Sequence, residues 1–162
     1  MNQMLINNWN SVVKAEDTVY HLGDFGFAHP RVIEGIIRQL NGTKFLIFGN
    51  HDKTIKANRD LQELFGWCKD YHELYVPDLR VKGGRQLAVL HHYAGLVWNK
   101  SHYGSWMLHG HSHGTLKYPY VGRIMDVGVD PLAYHPISYE QVRTKLLTLK
   151  PVSVDHHAHD NV

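Results

Sequence analysis

The sequence contains a single cysteine among its 162 residues. Cys68 therefore has no partner for an intrachain disulfide and cannot belong to an all-cysteine zinc site. No apolar run approaches the roughly 20 residues that a transmembrane helix requires. The N-terminal residues lack the basic and then apolar stretches of a signal peptide. These absences predict a soluble, cytoplasmic protein with no membrane partner.

A strong excess of one charge is also missing. Lysine and arginine number 17, aspartate and glutamate 15, and the formal net charge is +2. The basic residues are dispersed along the chain, so nucleic-acid binding is not indicated, and the pattern leaves the oligomeric state open. With 43% hydrophobic residues, a chain of this length can bury one compact core. We assign residues 1–150 to a single domain and residues 151–162 to a C-terminal tail.

The hydrophobic periodicity alternates between helical and extended patterns. Helices are predicted over residues 4–13, 31–40 and 59–65, and a capping box of Ser138 with Gln141 predicts a last helix through about residue 147. Strands are predicted at 18–22, 44–48, 71–76, 79–82, 86–90, 105–108 and 122–127. Residues 82–85 resemble the hairpin turn between the strands 79–82 and 86–90. The order of elements predicts an α/β fold in which two sheets form a sandwich with helices outside.

Histidine, in contrast, is abundant, with 14 residues. Polar side chains follow the first two predicted strands directly: Asp24 after one, Asn50 and His51 after the other. A β–α–β crossover of this length makes the two strands parallel, so their carboxyl ends lie side by side. Ligands of open α/β sheets bind at that edge. We therefore expect Asp24, Asn50 and His51 to converge.

Two more histidine groups follow predicted strands. His91 and His92 come after residues 87–90, and His111 and His113 come shortly after residues 106–108. On extended backbone, His111 and His113 would point to the same side. One carboxylate, one amide oxygen and several imidazoles form a ligand set that suits Mn, Fe, Zn or Ni.

These motifs together resemble the calcineurin-like metallophosphoesterases, in particular the short bacterial and phage type. In the family's order, the chain carries Gly23-Asp24, Gly49-Asn50-His51-Asp52, His92 and Gly110-His111-Ser112-His113. The stretch Asp126-Val127-Gly128-Val129-Asp130 is similar to the short members as well. The resemblance covers about residues 5–147 and implies an αββα fold, a two-sheet β-sandwich flanked by helices.

The resemblance also implies a chemistry. Members of this kind hydrolyse phosphodiesters or phosphomonoesters by attack of metal-activated hydroxide, with two divalent ions. By position, Asp24 would bridge the two ions, and His113 would belong to the first site. The second site would be completed by Asn50, His92 and His111. We prefer His92 to His91 because family members often have His-Tyr at this point, as in His92-Tyr93.

Two residues would have catalytic rather than ligating roles. His51 would act on the leaving group as a general acid or contact the phosphate, and Asp52 would orient it. The expected partner is accordingly a phosphate-ester substrate.

The chain departs from the family pattern at its start. The family begins with a strand that ends in Asp-x-His and supplies two ligands to the first metal, and this sequence has no such motif before Asp24. Its earlier acidic residues are Glu16 and Asp17, and its earlier histidine is His21. We therefore expect the first strand to be missing and the first site to keep only Asp24 and His113, which leaves one bound ion as a possibility. The alternative function is a catalytically impaired metal-binding protein of the same fold.

The C-terminal tail offers a possible substitute for the missing ligands. It contains an Asp-x-His sequence, Asp155-His156-His157. Asp155 and His157 could refill the first site, in the same chain or a neighbouring one. The simpler interpretation is a polar tail without such a role.

Overall fold

A computed structural model describes residues 2–118 and 122–151. The helices are α1 Asn2–Val12, α2 Pro30–Gln39, α3 Lys53–Lys56, α4 Arg59–Gln62 and α5 Tyr139–Leu146. The strands are β1 Thr18–His21, β2 Thr43–Ile47, β3 Cys68–Lys69, β4 Tyr71–Pro77, β5 Arg85–His91, β6 Trp106–His109 and β7 Ile124–Asp126. Short 3₁₀ turns occur at Ser101–Tyr103 and Asp130–Leu132. No helix in these two described stretches is both long and apolar enough to cross a membrane.

The first sheet has the strand order β1-β2-β3, and both neighbouring pairs are parallel. Strands β1 and β2, which the crossover through α2 connects, are adjacent and parallel, as predicted. In their register, Thr18 lies opposite Thr43. Helix α2 begins with Pro30, whose missing N–H costs nothing at a first helical position. The carboxyl ends of β1 and β2 therefore lie at the same edge of the sheet.

The second sheet has the order β4-β5-β6-β7, with β4 antiparallel to β5 and the other pairs parallel. The predicted strand at 79–82 is wrong, because those residues belong to the turn that joins β4 directly to β5. The Asp78 carboxylate accepts a hydrogen bond from the Arg80 amide at 3.0 Å and bends the chain there. Gly83 and Gly84 both have positive φ, which continues the turn.

Two further differences between the prediction and the structure concern short helices. The helix predicted over 59–65 is a single turn, α4, capped by the Asn58 side chain at the amide of Leu61. Another single turn, α3, precedes it and was not predicted. The capping box of Ser138 and Gln141 is confirmed at the start of α5.

Neighbouring residues of β2 pack into different clusters. Ile47 lies in a buried cluster with Leu90 of β5, Trp106 of β6 and Leu146 of α5. Leu46 packs instead with residues of α2, among them Ile33 and Ile37. Because successive strand residues face opposite sides, the first sheet contacts the second sheet through one face and α2 through the other. The structure is thus an α/β fold of two sheets flanked by helices.

A buried carboxylate fastens the β4–β5 turn to α5. The Asp78 side chain is 1% exposed and accepts hydrogen bonds from Arg80 Nε at 2.7 Å, Tyr139 Oη at 2.8 Å and Arg143 Nε at 3.0 Å. These bonds, led by those from Arg80, hold the pKa of Asp78 well below its usual range.

Candidate metal centre

His92 is held at the carboxyl end of β5 with one ring nitrogen fixed. The residue is 1% exposed, and its Nδ1 lies 2.8 Å from the carbonyl oxygen of Leu22. A carbonyl only accepts hydrogen bonds, so Nδ1 carries a proton, and Nε2 is the ring nitrogen that faces the rest of the group. Nε2 lies 3.0 Å from Asn50 Oδ1 and 3.4 Å from Asp24 Oδ2. His92 Nε2 therefore faces two oxygen atoms, and a cation placed among the three atoms would be held by all of them.

His111 completes this group. One ligand atom each from Asp24, His92 and His111 lie within 4.8 Å of one another. Asp24 and His111 have φ angles of 56° and 64°, in the left-handed region that non-glycine residues seldom occupy. Backbone strain of this kind persists where the surroundings enforce it, and it is common at functional sites.

Three of the four ligands, Asp24, Asn50 and His111, are directly preceded by a glycine, and the packing explains why. A methyl group at Gly49 would lie 2.8 Å from Cε1 of His92 and would overlap the Asp24 carboxylate. At Gly23 it would overlap His92 Nδ1, and at Gly110 it would lie 2.9 Å from the Leu22 carbonyl oxygen. The three glycines thus make room for the His92 ring among the converging loops.

Asp52 is completely buried beneath the site. Among the described residues, its carboxylate accepts four hydrogen bonds, all from backbone amides. The donors are Asp24 and Gly49 at 2.8 Å each, Phe25 at 2.7 Å and Gly26 at 3.3 Å. Within the described residues, the Asp52 carboxylate makes no hydrogen bond with the His51 ring. The contact through which Asp52 was expected to orient His51 is therefore not observed. Asp52 instead fastens the loop after β1 to the loop after β2.

His51 lies at the open side of the site. Its backbone amide donates to Asp24 Oδ1 at 2.8 Å, which joins the two loops a second time. Its imidazole lies 5.7 Å, centroid to centroid, from the ring of Phe27, which is 80% exposed. The His51 ring is thus exposed beside the ligand group, where a bound molecule can reach it.

His113 lies outside the group formed by Asp24, His92 and His111. Its Nδ1 lies 2.7 Å from Asp130 Oδ2, and both side chains are largely exposed. The premise of extended backbone is wrong, because His111 and His113 both have positive φ. A hydrogen bond from the Ser112 amide to the Gly110 carbonyl, at 2.7 Å, tightens the turn. His111 and His113 nevertheless line the same groove, whose volume is about 690 Å³.

Sequence reasoning missed two contacts of the site. Tyr93 places its ring 4.8 Å from that of His92 and 4.7 Å from that of His111, so it packs against both imidazoles. The pairing of Asp130 with His113 was also not predicted, although Asp130 lies in the quoted motif of residues 126–130.

His91 lies outside the ligand group. Its Nδ1 lies 2.9 Å from the carbonyl oxygen of Tyr93. Asp155 and His157 lie outside the described residues.

The donor atoms fit a divalent cation. A carboxylate oxygen, an amide oxygen and imidazole nitrogens form the mixed set that Mn, Fe, Zn and Ni accept. The contact of His92 Nδ1 with the Leu22 carbonyl leaves Nε2 directed into the group, as is usual for a ligating histidine whose other nitrogen is hydrogen-bonded. Asp24, Asn50, His92 and His111 are thus the residues that could hold a metal here.

Comparison with known proteins gives relatives without a stated activity. No family model matches the chain. It is 28% identical over 149 residues to the uncharacterized protein MJ1445 of Methanocaldococcus jannaschii, covering 88% of this chain and 73% of that protein. It is 31% identical over 132 residues to the Gene 66 protein of Mycobacterium phage L5, covering 69% of this chain and 64% of the phage protein.

A solved structure is similar as well. The crystal structure of the protein of unknown function AQ665 from Aquifex aeolicus matches with a TM-score of 0.65 and 25% sequence identity. The match covers 89% of this chain and 84% of that one. The likeness therefore extends over most of both chains.

Proposed function

We propose that this protein is a metal-dependent phosphoesterase of the metallophosphoesterase type. The observation that carries the proposal is the convergence of Asp24, Asn50 and His111 on Nε2 of His92. The order of the motifs along the sequence supports it independently. We also propose that the two sheets form a sandwich, which the shared cluster of Ile47, Leu90 and Trp106 supports.

Asp24, Asn50, His92 and His111 would hold a divalent ion, and His113 would contribute to a neighbouring one. When bound, such an ion neutralises charge on the phosphate oxygens and lowers the pKa of a coordinated water. The chain itself keeps the ligands in place before substrate arrives. Asp52 fixes the loops that carry Asp24 and Asn50.

His51 is the proposed proton donor. Its ring is exposed next to the ligand group, so it can approach the leaving oxygen of a phosphate ester bound there. As the oxygen of water forms a new P–O bond, the P–O bond to the leaving group breaks. The His51 imidazolium would give its proton to the departing oxygen, the attacking water would lose its proton to solvent, and His51 would then take up a proton from solvent for the next cycle.

The experiment is hydrolysis of bis(4-nitrophenyl) phosphate by the purified protein with added Mn²⁺. We expect turnover that EDTA abolishes, and a loss of kcat of about 100-fold or more in His51→Ala with Mn²⁺ binding retained. His135→Ala, at a histidine whose ring bonds to the Ala133 carbonyl, is the matched control and keeps wild-type turnover.

The outcomes separate the proposal from its alternative. Mn²⁺ binding with no hydrolysis by the wild type would favour the metal-binding protein without catalysis. Equal turnover by wild type and His51→Ala would overturn the assigned role of His51.

A further inference from the structure

The groove beside the metal centre is formed by the turn that follows β6. Its volume is about 690 Å³, and it is lined by His111, Ser112, His113, Thr115, Leu116 and Lys117. The groove is shallow and open to solvent, and its lining residues all belong to this one turn. A molecule whose phosphate group reacts at the His111 end could therefore extend along the turn.

The turn is braced before any ligand binds. The Gly114 amide donates to Asp126 Oδ2 at 2.8 Å, and Thr115 Oγ1 donates to the Ser112 carbonyl at 2.7 Å. Gly114 has a φ of 73° and packs against Pro131, where even a methyl group would lie 3.0 Å from Cβ. A wall fixed in this way loses little conformational entropy on binding.

Lys117 places a positive charge on the wall of the groove. The two acids that contact the turn are already engaged: Asp130 by His113, and Asp126 by the amides of Gly114 and Gly128. Within the described ranges, Lys117 forms no ion pair. Beside it, Leu116 is 42% exposed and offers an apolar surface. The groove thus presents an imidazole end, an apolar patch and a cation in succession along the chain.

We propose that this groove binds the part of the substrate beyond the scissile phosphate, and that this part carries a second phosphate that contacts Lys117. The substrate class is a phosphodiester joined through a sugar to a neighbouring phosphate, as in a short oligonucleotide. The inference rests on the proposed function, because it assigns a substrate to the same metal centre.

The test compares two dinucleotides that differ in one terminal phosphate, TpT and its 5′-phosphorylated form pTpT, with Mn²⁺ and the full chain. An exposed ion pair predicts a kcat/KM about three- to fivefold higher for pTpT, carried by KM. Lys117→Gln should abolish this preference. Lys82→Gln, which neutralises an exposed lysine in the β4–β5 turn, should retain it. Added salt should weaken the preference in the wild type, since exposed charges are screened.

Each result has one interpretation. The wild type could hydrolyse bis(4-nitrophenyl) phosphate and show the same kcat/KM for TpT and pTpT. In that case the groove does not bind a second phosphate, and this inference fails while the proposed function stands. A preference that survives in Lys117→Gln would also overturn it. If neither the aryl diester nor a dinucleotide is hydrolysed, the proposed function itself fails.

Discussion

The imidazole of His113 and the carboxylate of Asp130 lie 2.7 Å apart, Nδ1 to Oδ2, although 17 residues separate them. A carboxylate that accepts from Nδ1 fixes the orientation of the ring and leaves Nε2 as the nitrogen that can face a cation. His113 is therefore oriented as a metal-ligating histidine is, even though it lies outside the group of Asp24, His92 and His111. Asp130 is a positioning residue for it in this account.

Asp130→Asn should weaken binding of an ion at His113. Loss of such a supporting carboxylate typically lowers metal affinity about 10- to 100-fold. Isothermal titration with Mn²⁺ should show a weakened or missing second binding event, similar to that of His113→Ala. Asp60→Asn, at an exposed acid in the first turn of α4, is the control. Titration curves of Asp130→Asn that match the wild type would remove Asp130 from the site.

Gly49→Ala should damage both the metal centre and the fold. The added methyl group would overlap the Asp24 carboxylate and press against His92. Overpacking of this kind costs about 1–3 kcal/mol in the free energy of unfolding, which urea denaturation measures. Gly35→Ala in α2 is the contrasting control, because nothing lies within 4 Å of its added methyl group. That variant should gain about 0.5–1 kcal/mol, as alanine favours helix. Equal stability of the two variants would contradict the close packing at Gly49.

Asp52→Ala should be strongly destabilising. It leaves four backbone amides of two loops without their acceptor, and the carboxylate is fully buried. We expect a loss of roughly 3 kcal/mol or more in the free energy of unfolding. Asp70→Ala removes an exposed carboxylate paired with Lys56 and should cost less than about 1 kcal/mol. A small effect of Asp52→Ala would show that the loops are held by other contacts.

Cys68 should react slowly in the folded protein. Burial, together with a smaller effect of the negative charge of Asp52, raises the pKa of its thiol to about 11. Because the thiolate is the reactive form, raising the pKa from about 9 to about 11 lowers its population about 100-fold at pH 8. Iodoacetamide should label the native chain far more slowly than the chain unfolded in urea. Equal labelling rates would contradict the buried environment of the thiol.

Local rules were enough for part of the fold. The crossover rule correctly gives the parallel pairing of β1 and β2, and therefore the approach of Asp24 to Asn50. The capping box at Ser138 was also readable, because it depends on residues three positions apart.

Contacts between distant residues could not be predicted in this way. The segment 79–82 has the composition of a strand, yet the buried Asp78 and the arginines it binds turn the chain there. The Asp52 carboxylate accepts hydrogen bonds from the backbone amides of Asp24, Phe25 and Gly26, which lie 26 to 28 residues earlier in the chain. The turn at His111 and His113 departs from extended backbone through hydrogen bonds within the loop, which the spacing of the two histidines does not reveal.

The central claim is that His92 and His111 bind a divalent ion together with Asp24 and Asn50. Electron spin-echo spectroscopy of Mn²⁺ added to protein carrying ¹⁵N-labelled histidine tests it most directly. We expect hyperfine coupling to directly bound imidazole nitrogen, reduced in His92→Ala and in His111→Ala and unchanged in His135→Ala. A spectrum without imidazole coupling, or one that neither ligand variant alters, would contradict it.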